Sequence, residues 1–189
     1  MNIALYFGSF NPVHVGHLII ANTIISKISI DQLWFVVSPQ NPLKPQASLL
    51  NEYHRKYMID LSIDGENKLR TSTVEFNLPR PSYTINTLTY LTEQFPTYNF
   101  SIVMGSDSYQ NIDKWKNYEL LVKNYNIIIY LRPGHEIKGQ LPPGISIIDA
   151  PLLELSSTHI RDLIKRKQSI KFMVPDVVKE EIERNHYYR

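Results

Sequence analysis

Two histidines near the start of the chain have a spacing that suits phosphate chemistry. Residues 8–17 read GSFNPVHVGH and follow a short apolar run that is typical of a buried strand. Gly8 and Gly16 let the backbone approach a ligand closely. The helix predicted to begin at Gly16 would add N–H donors and a partial positive charge. We therefore predict that His14 and His17 face one phosphate and stabilise the charge that a transition state gathers there.

A metal ion is an alternative ligand for such a pair. However, no Glu lies between His14 and His17, and no further His or carboxylate follows at ligand spacing. The segment also lacks the Gly-Lys-Ser/Thr of a Walker loop and the Gly-x-Gly-x-x-Gly of a dinucleotide-binding turn. We predict a phosphate site here and no metal site built by the protein.

A second polar segment, residues 155–161, reads LSSTHIR. Ser156 or Ser157 can cap the helix that follows. The hydroxyls and the free N–H groups of that helix start would suit phosphate oxygens, and Arg161 in the first turn could reach the same anion. Taken alone, the segment is better explained by an ordinary helix cap followed by a solvated arginine.

The elements that must position these residues alternate along the chain. Apolar runs predict strands over residues 3–7, 33–37, 100–104, 126–131 and 145–148, with residues 68–76 extended. Helices are predicted over residues 16–28, 84–95, 118–123 and 157–166, with one starting after an Asn51 cap and one running from Pro175 to about residue 185. The expected apolar faces are Tyr53, Tyr57, Met58 and Leu61 in one helix and Ile85, Leu88, Leu91 and Phe95 in another.

This alternation favours an α/β fold, a doubly wound and mainly parallel sheet with helices on both faces. We see no internal repeat or linker, so residues 1–189 are expected to form one domain. Ligands of such sheets bind beyond the carboxyl ends of the strands. Three strand ends carry suitable residues, from Gly8, Pro39 and Gly105 onward.

Composition excludes several classes of protein. The chain has no cysteine, so disulfides, Cys-ligated zinc and a thiol nucleophile are impossible. Its net charge of +2 is too small to favour nucleic acid as a partner, and its aromatic residues are spread rather than gathered in a basic stripe. The sequence shows no signal peptide and no apolar window of roughly 20 residues, so we expect a cytoplasmic protein with no membrane contact.

The two motifs together resemble those of the HxGH nucleotidyltransferase superfamily. His14, Gly16 and His17 supply the HxGH core, and residues 155–161 resemble its ISSTxxR motif, with Leu155 in place of the common Ile. Class I aminoacyl-tRNA synthetases share HxGH, but this chain is too short to hold one with its tRNA-binding parts. The resemblance implies a Rossmann-like domain that joins a nucleotide to a phosphate-bearing substrate.

Between the motifs, the chain resembles the bacterial nicotinate-nucleotide adenylyltransferases. The stretches that carry this resemblance are PQNPLK at 39–44, RPSYTINTL at 80–88, MGSDS at 104–108 with Trp115 following, and RPG at 132–134. Pantetheine-phosphate adenylyltransferases usually have Thr where His14 stands and lack the Ser-Tyr-Thr and Trp segments. Cytidylyltransferases share HxGH but not the middle stretches.

The resemblance implies that AMP passes from ATP to nicotinate mononucleotide (NaMN), giving nicotinate adenine dinucleotide (NaAD) and pyrophosphate, with Mg²⁺ brought by ATP. His14 and His17 would be catalytic. Thr84, Trp115 and Lys116 would bind NaMN, with the indole stacked on the pyridine ring. The residues assigned to ATP are Gly8, Ser9, Phe10, Lys44, Gly105, Asp107, Ser157, Thr158 and Arg161.

Several points stay open at the level of sequence. Asp107 could equally be a helix cap, and Trp115 alone could be a core residue. Backbone groups could recognise either a nicotinate carboxylate or a nicotinamide, so only the resemblance favours the acid. Another phosphate acceptor and a non-catalytic nucleotide-binding module remain as alternatives, and a homo-oligomer is neither indicated nor excluded.

Overall fold

The computed structural model describes residues 1–40, 49–151 and 154–189, which form six strands and seven α-helices. The strands are β1 (Asn2–Gly8), β2 (Gln32–Val37), β3 (Leu69–Ser72), β4 (Asn99–Gly105), β5 (Asn126–Tyr130) and β6 (Ile145–Ile148). The helices are α1 (Val15–Lys27), α2 (Glu52–Ser62), α3 (Thr84–Gln94), α4 (Ser106–Tyr109), α5 (Tyr118–Asn124), α6 (Ser157–Lys165) and α7 (Asp176–Arg184). Single 3-10 turns occupy Val74–Asn77 and Ile112–Lys114.

The strands form one parallel sheet in the order β3-β2-β1-β4-β5-β6. The chain runs outward from β1 in one direction as far as β3, and then resumes on the other side of β1 with β4. This change of direction creates a topological switch point between β1 and β4, where ligands of doubly wound sheets bind. The predicted α/β, doubly wound fold is confirmed.

The sheet is buried on both faces, which explains the unbroken apolar runs in its strands. Ala4 and Tyr6 of β1 join the core beneath α1, α2, α6 and α7. Ile3 and Leu5 join the core on the other face, beneath α3 and α5. Within the described ranges, no helix is long and apolar enough to cross a membrane.

Two predicted helix caps are confirmed. The Asn51 side chain accepts a hydrogen bond from the Tyr53 N–H at 2.9 Å. Ser156 Oγ accepts one from the His159 N–H at 3.2 Å. Pro175 precedes its helix as the N-cap and is not the first helical residue, which corrects the prediction by one position.

The predicted apolar face of α2 was wrong for its two tyrosines and right for Met58, which is fully buried. Tyr53 and Tyr57 are 64% and 47% exposed, whereas Arg55 is fully buried beside Met58 and Ile59. The helix is rotated from the expected orientation because the Arg55 guanidinium bonds to main-chain carbonyls in the interior.

Smaller differences concern short elements. The extended segment ends at Ser72, and the chain then turns through a single 3-10 turn. Phe95 follows α3 as its C-cap and is 37% exposed, so the buried stripe of that helix is completed by Ile85, Leu88 and Leu91. The four-residue α4 was not predicted.

Candidate active site

The predicted site segments meet at the carboxyl edge of the sheet. Gly8, the last residue of β1, is level with Val37 of β2. On the other side of β1, Gly105 ends β4 and is level with Tyr130 of β5. Because all these strands are parallel, the loops that follow them open on the same edge, at the switch point.

His14 and His17 lie together at the start of α1, as predicted. His14 is the N-cap residue, and its backbone N–H donates to His17 Nδ1 at 3.3 Å. The two rings stack with their centroids 3.7 Å apart. Since His17 Nδ1 accepts this bond, the neutral ring carries its proton on Nε2.

His14 is buried, with 5% of its surface exposed. Burial, reinforced by the positive charge of Arg132, lowers its pKa from 6.5 to about 4. The His14 ring is therefore neutral at neutral pH and can act there through hydrogen bonding.

Phe10 supports the histidine pair from below. It is 2% exposed, and its ring meets that of His17 edge-on at 5.0 Å between centroids. Its φ of +45° is a left-handed conformation that is uncommon for a residue with a side chain. Gly8 is needed beneath this ring, because a Cβ there would lie 2.7 Å from Phe10 Cζ.

The second motif holds the loop that joins β1 to α1. Ser157 Oγ donates to the Pro12 carbonyl at 2.9 Å. Arg161 donates through Nη1 to the Asn11 carbonyl at 2.8 Å and through Nη2 to Thr158 Oγ1 at 3.2 Å. The structure thus places the predicted triphosphate ligands of α6 against the histidine loop, and it shows that two of them bind the loop backbone.

A charged cluster follows β4 and β5. Arg132 Nε lies 3.2 Å from Asp107 Oδ1 as an ion pair, and Arg132 Nη2 donates to the Tyr130 hydroxyl at 3.2 Å. Asp107 lies in the first turn of α4 and does not cap it. A Cβ on Gly105 would fall 2.3 Å from Asp107 Oδ1, so a glycine is required for the carboxylate to fold back over the strand end.

The residues assigned to NaMN lie on the opposite face of the sheet. Thr84 is the first residue of α3. Trp115 is half-buried against the core that includes Leu88. Lys116 is exposed, with Nζ 4.7 Å above the ring of Tyr83. The structure brings Lys116 beside the start of α3, where Thr84 lies.

Lys44, assigned to the triphosphate from the sequence, lies outside the described residues. Two arginines were missed as site residues. Arg132 belongs to the Arg-Pro-Gly stretch, which carried the resemblance without a role, and its position beside His14 depends on the strand order. Arg55 had no sequence signal, because an arginine in a helix is ordinarily solvated.

Comparison of the chain with known proteins identifies its family. Residues 5–163 match the model of a family described as cytidylyltransferase-like. The matched range runs from β1 into α6 and contains both histidines and Arg161.

Individual relatives identify a narrower group within that family. The chain is 44% identical to a probable nicotinate-nucleotide adenylyltransferase of Flavobacterium psychrophilum over the full length of both proteins. It is 43% identical to one of Cytophaga hutchinsonii, covering 100% of this chain and 98% of the relative. The solved Plasmodium falciparum nicotinic acid mononucleotide adenylyltransferase complexed with NaAD superposes with a TM-score of 0.86 at 25% identity, over 99% of this chain and 97% of that one. The chain belongs to the cytidylyltransferase-like family and, within it, to the nicotinate-nucleotide adenylyltransferases.

Proposed function

We propose that this protein transfers AMP from ATP to nicotinate mononucleotide, releasing pyrophosphate and forming NaAD for NAD biosynthesis. The observation that carries the proposal is the stacked pair of His14 and His17 at the start of α1, at the switch point of the sheet. Full-length relatives that carry the name of this activity support it.

The reaction requires little proton transfer. The 5′-phosphate of NaMN is already an anion and attacks the α-phosphorus of ATP in line, so a strong general base is unnecessary. The protein has to align two anions and stabilise charge on the α-phosphate and the leaving pyrophosphate. We assign that stabilisation to His14 and His17, with His14 acting as a neutral hydrogen-bonding group.

The triphosphate is assigned to the α6 side of the loop. Arg161 has five N–H donors, and its bonds to Asn11 and Thr158 leave others for phosphate oxygens. Thr158 is exposed at the start of the same helix, whose N–H groups and dipole favour an anion. Gly8, Ser9 and Phe10 would bring backbone to the nucleotide, and Lys44 is assigned here from the sequence alone.

Gly105 and Asp107 are assigned to the adenosine ribose. The Asp107 carboxylate accepts hydrogen bonds by its nature, and the ribose hydroxyls can supply them. Its ion pair with Arg132 fixes one of its oxygens and leaves the other for this contact. The pair also keeps a guanidinium beside the reacting phosphates.

Mg²⁺ is proposed as a component of the substrate, MgATP. Within residues 1–40, 49–151 and 154–189, no cluster of three or more acidic or histidine side chains could hold a metal ion. Mg²⁺ is commonly bound through substrate phosphates and water. Such an ion would neutralise the triphosphate without a protein cage.

The acceptor is assigned to the α3 face. Trp115 would offer its indole face to the pyridine ring, an electron-poor heterocycle that stacks favourably. The nicotinate carboxylate would meet N–H donors at the start of α3, near Thr84, and the charge of Lys116. A cytoplasmic location remains a prediction, and the oligomeric state is left open by the sequence.

The proposal is tested by measuring pyrophosphate release with ATP and Mg²⁺, offering NaMN, nicotinamide mononucleotide and phosphopantetheine in parallel. Strong preference for NaMN is expected. Turnover only with another acceptor would retain the nucleotidyltransferase chemistry and reject the substrate. No release with any of them would favour a non-catalytic nucleotide-binding protein.

A further inference from the structure

One arginine of α2, Arg55, is buried, although a charged side chain is ordinarily exposed to solvent. Arg55 has no exposed surface in the folded chain. Burial lowers the pKa of its guanidinium from 12.5 to about 10, and the group remains positively charged at neutral pH. Burying a charge costs folding free energy unless the group is hydrogen-bonded. The groups that bond the guanidinium therefore indicate its role.

The guanidinium is held by main-chain carbonyls. Nη1 donates to the Ser9 carbonyl at 2.5 Å and to the Ser38 carbonyl at 3.0 Å, and Nε donates to the Leu50 carbonyl at 2.7 Å. No ion pair joins Arg55 to a carboxylate of the described residues. The bonds of the side chain are therefore to backbone, and the Glu52 carboxylate acts on its charge only from beyond ion-pair distance.

The carbonyls that Arg55 binds belong to two loops of the site. Ser9 follows Gly8 in the loop between β1 and α1, and Ser38 follows the last residue of β2. The two strands are adjacent, and the Ser38 N–H itself donates to the Gly8 carbonyl at 2.9 Å. One guanidinium thus joins the two loops at the point where they leave the sheet.

The same loop is held from its other end by a different helix. Asn11 and Pro12 offer their carbonyls to Arg161 and Ser157 of α6. Together with Arg55, these side chains hold the carbonyls of three of the four residues between Gly8 and Val13. Since the peptide group is planar and trans at Ser9–Phe10, fixing the Ser9 carbonyl also fixes the opposite direction of the Phe10 N–H.

We propose that Arg55 is a positioning residue for adenylyl transfer, which sets the direction of the Ser9 peptide and thereby the geometry of the ATP-binding loop and the histidines that follow it. This inference rests on the proposed function. Lysine cannot replace Arg55, because a single ammonium cannot bond the Ser9 and Ser38 carbonyls at the position of Nη1 and also the Leu50 carbonyl at the position of Nε.

The test compares Arg55→Lys and Arg55→Met with a matched pair, Arg70→Lys and Arg70→Met. Arg70 is exposed on β3 and belongs to neither loop. Steady-state kinetics with each substrate varied in turn should show kcat falling on the order of 10²-fold for Arg55→Met, as expected when a reacting group is misplaced by about 1 Å. KM for ATP should rise more than KM for NaMN, and the Arg70 variants should match the wild type.

A second measurement separates positioning from folding. Circular dichroism and thermal unfolding identify the temperature range in which each variant is folded, and ATP binding is then measured there by calorimetry. We expect Arg55→Lys to stay folded and to bind ATP more weakly than the wild type. If Arg55→Met does not fold, Arg55→Lys carries the test by itself.

The outcomes are distinct. Wild-type kcat and ATP affinity in a folded Arg55→Lys protein would overturn the inference, as would equal rises in both KM values. Absence of turnover by the wild type would reject the proposed function instead, and the calorimetric comparison of ATP binding would still decide the role of Arg55.

Discussion

The imidazole rings of His14 and His17 lie face to face, with their planes inclined by 28° and their centroids 3.7 Å apart. Two positive charges at this separation repel strongly, so protonation of one ring opposes protonation of the other. Burial keeps His14 neutral, whereas His17 is set apart by accepting the His14 N–H through Nδ1. The two histidines should therefore differ in function despite their symmetric motif.

The first prediction concerns His17. We expect His17→Ala to lower kcat by about 10²-fold or more, because it removes a group that stabilises charge in the transition state. KM for either substrate should change little by comparison. His186→Asn, on an exposed turn after α7, is the control and should keep wild-type turnover. Near-normal kcat in the His17 variant would remove that residue from the mechanism.

A second prediction concerns the stability of the protein in mild acid. The pKa of His14 is about 4 in the folded chain and near its ordinary 6.5 in the unfolded chain, so the unfolded chain binds more protons between these values. The free energy of unfolding should fall by up to about 3 kcal/mol as the pH drops from 6.5 to 4. Denaturant unfolding of the wild type and of His14→Asn across this range checks it. The wild-type loss should exceed that of the variant, and parallel curves would contradict the burial of an unprotonated ring.

A third prediction concerns Gly105. In Gly105→Ala the new Cβ would lie 2.3 Å from Asp107 Oδ1 and 2.9 Å from Arg132 Nε, so the ion pair must move. We expect KM for ATP to rise about tenfold, equivalent to about 1.4 kcal/mol of binding. Ser101→Ala, in the same strand, is the control. If KM for ATP stays at the wild-type value, the Asp107 pair does not contribute to nucleotide binding.

The fourth prediction separates a ligand contact from a core contact. Trp115→Ala should raise KM for NaMN far more than KM for ATP, because the indole is assigned to the pyridine ring. Phe172→Ala, which removes an 81% exposed ring, should change neither value. Equal increases for both substrates in the Trp115 variant would show that the side chain is structural.

The strands and the strand-end sites could be predicted because the relevant signals are local. Apolar runs, the Asn51 cap and glycines at strand ends each act within a few residues. The orientation of α2 could not be predicted. Arg55 faces the interior because its guanidinium bonds to the carbonyls of Ser9 and Ser38, which follow β1 and β2. These carbonyls are brought together only by the strand order. The same holds for Arg132, whose charge reaches His14 only after β5 is placed beside β4.

The short elements were missed for another reason. The four-residue α4 and the 3-10 turns contain too few residues to show a hydrophobic period. Their positions follow from contacts such as the bond from the Arg132 N–H to Ser106 Oγ at 2.9 Å, which joins segments far apart in sequence.

The side chains that hold the loop between β1 and α1 come from α2 and α6, about 100 positions apart in the chain. Opening this loop to solvent must therefore detach at least one of those helices. The amide hydrogens of the loop should then exchange with solvent more slowly than those of an ordinary surface loop. A substitution at Ile160, the buried residue of α6 that is assigned to neither substrate, would then lower activity by loosening the loop. In a mutational screen, such a packing change would be mistaken for the loss of a catalytic group.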